Sequence, residues 1–139
     1  MGAAAAGRVY MVAYAHMNLP GPLNQIVRDY KQKFNDDMYT GSIYHAYTML
    51  SEAFVKAKST DPVKVAAVME GMKFNSFNGE VEMRKTDHQL QQGLFISKWE
   101  KAGGKYPIDS ENTGHTFVPV KYYEPYVAST PTSCQMKRP

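Results

Sequence analysis

The groups in this sequence that could do nucleophilic, acid–base or metal chemistry are few, and their spacing limits them. His16, His45, His88 and His115 are too scattered for a zinc pattern such as H-x-x-x-H, which puts two imidazoles on one helical face, so no metal or other cofactor is expected. His45 falls on a helix, where packing or solvation is the ordinary role, and His88 beside Asp87 suits a turn better than a proton relay. Ser97 alternates within a strand and Cys134 lies six residues from the end, neither with a base at a recognisable offset. No nucleophile elbow, phosphate-binding glycine loop or carboxylate pair stands out, so the expectation is a protein that is not an enzyme. The lone thiol has no internal partner: it is either an inert free cysteine or the half of a disulfide whose other half lies outside this sequence.

Composition narrows the partners. The 16 basic and 13 acidic residues, net +3, are interleaved rather than clustered, which excludes a nucleic-acid patch. No run approaches the roughly 18 apolar residues of a membrane-spanning helix. Residues 1–7 (MGAAAAG) have neither the basic start nor the apolar stretch of an export signal, which leaves two readings: a cytoplasmic protein, or a fragment whose natural start, with any export signal, lies upstream. The nine methionines are spread between helices and loops, as core filler rather than a cofactor box.

The elements that must position any site follow from periodicity. Residues 8–14 (RVYMVAY) form an apolar run without alternation, the pattern of a strand buried on both faces of a parallel sheet. Ligands in open α/β layouts sit beyond the carboxyl ends of strands, which makes His16, Met17 and Asn18, just after this run, candidate contacts. Leu23, Ile26, Val27, Tyr30 and Phe34 recur at helical spacing, and residues 35–41 break the period. Ile43, Tyr47, Leu50, Phe54 and Ala57 mark a second helix. Asp61-Pro62 starts a third, with the carboxylate as N-cap and proline at the first helical position, and Val65, Val68, Met69 and Met72 as its buried face. Asn78-Gly79 is a turn signal leading into an alternating strand over residues 80–84. Residues 94–99 are a further strand; residues 116–123 make a short one, and Pro119, Pro125 and Pro131 keep the rest irregular. One buried strand followed by three helices is a poor count for a closed α/β domain, so its parallel neighbours are expected upstream.

Order and wording together resemble the C-terminal region of type 1 periplasmic binding proteins, the branched-chain amino-acid group that feeds ATP-driven importers. The resemblance spans residues 7–105 and rests on RVYMVAY, YKQKF, SIYHAYTMLSEAFVKAKSTDPVKVAAVMEGMKF and FNGEVEMRKTDHQLQQGLFISKW, with PTSCQMKRP near the end. It implies an α/β fold of two lobes, parallel sheets flanked by helices, of which this chain holds an incomplete C-terminal part. Residues 8–35 would be the last strand–helix unit of lobe 2. Residues 42–86 would return to lobe 1, residues 93–106 would re-enter lobe 2, and residues 107–139 would be an irregular tail. Tyr44 matches the family's tyrosine at a helix start facing the cleft, and the remaining solute contacts would lie upstream. The implied partners are a small solute (an amino acid or organic acid), the membrane permease of the importer, and a missing N-terminal lobe or a second copy of the chain, in the periplasm. A ligand-sensing domain of a receptor, or a truncated remnant acting only through oligomerisation, is the alternative.

Overall fold

The computed structural model describes residues 1–13, 17–18, 22–39, 41–77, 79–127 and 129–138, without the side chains of residues 22 and 23. After a short 3-10 turn at Ala3–Ala5 come β1 (Tyr10–Ala13), α1 (Pro22–Phe34), α2 (Gly41–Ala57), α3 (Pro62–Met69), β2 (Lys73–Ser76), β3 (Gly79–Met83), β4 (Leu90–Gln91), β5 (Leu94–Lys101) and β6 (His115–Tyr123). The strands form two three-stranded sheets, ordered β1-β5-β6 and β2-β3-β4. Both helices expected after α1 are present, as are β3 and β5.

Every pairing among the described residues is antiparallel, so this chain does not itself supply the parallel neighbours that the apolar run at 8–14 implied. Nor is β1 buried on both faces: it alternates, leaving Tyr10 58% and Val12 65% exposed. An unbroken apolar run reports that both faces suit cover, and nothing among the described residues covers the Tyr10–Val12 face. The segment 107–139 is likewise not irregular throughout, because the nine-residue β6 pairs along the whole of β5. Pro119 is accommodated because β6 is an edge strand with a bulge: Ile96 pairs with Lys121 but Ser97 with Pro119, leaving Val120 as the extra residue. The short β2 and β4 went without a signal, being four and two residues long.

The core lies where α2 and α3 pack on β2 and β3: Met49, Ala53, Val65, Met72, Phe74, Val81 and Met83 are buried together. The buried stripe of α2 is Gly41, His45, Met49 and Ala53, at four-residue steps. The bulkier set read from the sequence points elsewhere, with Ile43 54%, Tyr47 71% and Phe54 38% exposed. A helix apolar on two sides is made to be covered on both. Asp61 caps α3 as expected, its Oδ1 accepting the Lys64 N–H at 2.9 Å, with Pro62 at the first position. The first sheet, β1-β5-β6, centres on Trp99, 2% exposed, stacked on His115 and set edge-on to Phe117, its indole N–H donating to the Gly2 carbonyl at 3.2 Å.

His45 is the polar member of the α2 stripe, 4% exposed. Its Nε2 accepts the Phe77 N–H at 3.1 Å, so the neutral ring carries its proton on Nδ1. Burial lowers its pKa below the ordinary 6.5.

Two outcomes follow. Replacing Asp61 by Ala leaves an N–H at the start of α3 unsatisfied and costs about 1 kcal/mol in urea unfolding. His45 contributes stability that is fully present above pH 6.5 and is lost as pH falls through its lower folded-state value. Unfolding midpoints measured from pH 7.5 downward therefore decline more steeply below 6.5 in the wild type than in His45→Gln, whose own stability at neutral pH serves as the baseline.

Candidate functional site

The link from α1 to α2 carries Asp37, a carboxylate with only 3% of its side chain exposed. An unpaired charge at such a position would be prohibitive, and this one is answered twice. Lys31, near the end of α1, pairs with its Oδ1 at 2.6 Å, and the Glu111 N–H donates to its Oδ2 at 3.0 Å. Lys31 also donates to the Asp109 carbonyl at 2.6 Å and lies 3.5 Å from the Asp109 carboxylate. The Gly114 N–H, 2.7 Å from the Asp109 carboxylate, together with Lys31, holds that group below the usual carboxylate range against the opposing effect of burial. The Tyr39 hydroxyl donates to Glu111 at 2.6 Å, and Asn112 donates to the Asn35 carbonyl at 3.2 Å. The loop before β6 is thereby fastened to the link between the two sheet-bearing halves.

Beside this clasp is a cavity of about 390 Å³, within the usual size range of small-molecule sites. Met11, Trp99 and Phe117 of the first sheet form one wall, with Val27 of α1. Met38, Tyr39 and Gly41, from the link and the start of α2, form another, and Phe77, from the turn after β2, closes it from the second sheet. Asp37, Ser110, Glu111 and Thr113 give one side a polar rim. The space thus draws on both halves of the chain and can hold an apolar or aromatic body with a polar end. A smaller cavity of about 140 Å³ lies between α2 and the second sheet, lined by His45, Met49, Phe74 and Gln92 among others.

The candidates from sequence are placed unequally. Met17 lines the larger cavity, and its carbonyl accepts from the Asn24 amide at 2.5 Å. Asn18 is 8% exposed and works as a clip. Its amide donates to the Ile108 carbonyl at 2.8 Å and to Thr116 Oγ1 at 3.2 Å, and accepts the Ile108 N–H at 2.8 Å. His16 lies outside the described residues. Tyr44 is half-buried behind the wall, its ring 5.9 Å from that of Phe77 and 6.2 Å from that of His45. The structure therefore brings Met17 to the cavity, leaves Tyr44 outside its lining beside Phe77, and spends Asn18 on the loop that frames it. Tyr39, Phe77, Trp99 and the Asp37–Glu111 rim were not singled out from sequence. A tyrosine inside a period-breaking link was the local hint, because Lys31 lies six residues before Asp37 but the other partner, Glu111, lies more than seventy residues away.

At the link between β4 and β5, Gly93 is pressed against Tyr122: a Cβ there would fall 2.2 Å from the tyrosine hydroxyl. Among the described residues no group of three or more histidine, cysteine or acidic side chains is placed to hold a metal ion.

The family model described as periplasmic binding protein matches residues 1–105. The leucine-, isoleucine-, valine-, threonine- and alanine-binding protein of Brucella ovis, solved in a closed conformation, superposes with a TM-score of 0.81 at 22% identity, over 99% of this chain and 37% of its own. An ABC-type branched-chain amino acid transporter protein of Rhodopseudomonas palustris CGA009 gives 0.74 at 26% identity, over 93% and 34%. A solute-binding protein of an ABC transporter from R. palustris BisB5, in complex with 3,4-dihydroxybenzoic acid, gives 0.74 at 23% identity, over 89% and 32%. Among curated proteins none matches. The chain spans about a third of the length of these solved relatives and has the α/β fold of the corresponding part of their lobes. With the family model covering 1–105, the chain belongs to the periplasmic binding protein family.

Proposed function

We propose that this chain is part of the extracytoplasmic solute-binding component of an ATP-driven importer, a binder rather than an enzyme, which closes two lobes on an amino acid or related organic acid. The observation that carries this reading is the cavity of about 390 Å³ walled by residues from both sheets and from the link between them, the location expected of a site that hinge closure completes. The relatives support the chemistry, since one is described as binding leucine, isoleucine, valine, threonine and alanine and another holds a dihydroxybenzoic acid. Both ligands combine a carboxylate with an apolar or aromatic body, which suits methionine and aromatic walls with a polar rim.

In this reading residues 8–35 and 93–106 belong to one lobe and residues 42–86 to the other. Met17 and Asn18, with Tyr44 acting through Phe77, contribute one side of the site, and His16, next to Met17 in sequence, is a further candidate contact. The remaining contacts come from the two-thirds of the relatives' length that this chain does not span, supplied as an upstream lobe or by a second copy. The uncovered faces of α2 and β1 favour such a cover: Tyr47, Val55 and Val12 are 71%, 74% and 65% exposed. A membrane permease is the downstream partner and the periplasm the compartment.

The test is thermal unfolding of the protein isolated from its source, against branched-chain amino acids and hydroxybenzoic acids. A cognate solute at a hundred times its Kd stabilises by about 2.7 kcal/mol, a rise of several degrees in Tm. Flat melting across the whole panel overturns the reading. A native subunit near 15.6 kDa points to a second copy as the cover, whereas one of about 40 kDa, two lobes of ordinary domain size, points to an upstream lobe.

A further inference from the structure

After β6 the chain leaves the first sheet and runs back across the second half of the molecule. Arg84, at the end of β3, donates through Nη1 to Ser129 Oγ at 3.1 Å and to the Thr130 carbonyl at 2.9 Å. The guanidinium is itself held: Asp87, with 3% of its side chain exposed, faces Nη2 at 3.1 Å as an ion pair without hydrogen-bond geometry. Nearer the end, Arg138 donates to the Glu70 carboxylate and to the Lys85 carbonyl. Glu70 follows α3 and is held from its other side by His88 at 3.2 Å. Two arginine fastenings, at residues 129–130 and 138, thus pin a stretch that has no helix or strand among its described residues to the α3–β3 corner. The other end of that stretch is fixed by β6 in the opposite sheet.

We infer that residues 124–138 are a strap, buttoned at Arg84 and Arg138, that joins the two sheet-bearing halves and limits how far they separate. The chain already passes between the halves at residues 35–40 and 92–93, and both of those links lie beside elements they connect in sequence. The strap differs because side-chain contacts rather than strand pairing seat it on the α3–β3 corner, and such contacts can open without breaking the chain. A charge-assisted guanidinium contact is strong enough to hold such a segment, yet an exposed one is cheap to open. The match to the periplasmic binding protein family model ends at residue 105, so the strap is not part of what that match covers. The inference stands independently of the solute reading, because no ligand enters it.

Pulsed electron-spin distance measurements on the full chain test it with two label pairs. The native Cys134, exposed within the strap, pairs with a label at Lys56→Cys on α2 and reports whether the strap is seated. On a Cys134→Ser background, Lys56→Cys with Lys101→Cys at the end of β5 reports the separation of the halves. The wild type gives a single narrow distance for each pair. Glu70→Ala combined with Arg84→Ala loses the single peak in both, with the second pair moving to longer distances. If the double variant fails to give the wild-type circular dichroism spectrum, an Arg138→Ala variant with both buttoning partners retained is read in its place. An unchanged first pair overturns the docking, and a broadened first pair with an unchanged second overturns the restraint.

Discussion

A buried carboxylate in the link between α1 and α2 is the constraint on which the site depends. The buried carboxylate of Asp37 is met by Lys31 and the Glu111 N–H, and those partners come from a helix before it and a loop far after it. Satisfying one charge therefore fixes three segments together. The same lysine reaches Asp109, Asp109 orders the turn at Gly114, and Asn18 clips the backbone at Ile108. The polar rim of the larger cavity is the outer surface of this arrangement, so its shape is set by charge pairing and its walls by apolar packing. Replacing Lys31 alone would leave an uncompensated charge rather than merely loosen a contact.

The apolar walls obey a different rule. Trp99, His115 and Phe117 form a stacked set against the first sheet, and Phe77 reaches the same space from the second. Residues of both halves converge because α2 begins at Gly41, directly beside the link, and buries His45 against Phe77 one turn later. Tyr44, next to His45 in sequence, is thereby turned toward the back of the Phe77 ring.

Local chemistry was readable from the amino-acid order, and long-range chemistry was not. The Asp61-Pro62 cap, the three helices, and strands β3 and β5 follow from spacing and from turn residues that act within a few positions. The family was legible because order and wording over a hundred residues carry it. Burial of β1 was misjudged because an apolar run tells how many faces suit cover, while the cover itself lies in other segments. The strand over residues 116–123 was legible to within one residue of β6, but not how Pro119 fits into it, which takes the bulge at Val120 and the edge position. Asn18 was singled out from its place after a strand, yet a primary amide can clip a backbone as readily as meet a solute. Only the position of Ile108 decides between them. The Asp37 cluster was not legible, since Lys31 and Asp37 lie six residues apart but Asp109 and Glu111 lie more than seventy residues from them.

The bulge and proline in β6 also give the first sheet a direction of growth. On the β6 side Pro119 offers no N–H and Val120 throws the ladder out of step, so a newcomer strand finds nothing regular to zip onto. On the β1 side the backbone of Tyr10–Ala13 is unkinked, short of partners among the described residues, and dressed with aromatic and β-branched side chains. Of the two edges of this sheet, the one at β1 is therefore the regular one on which a further strand could pair.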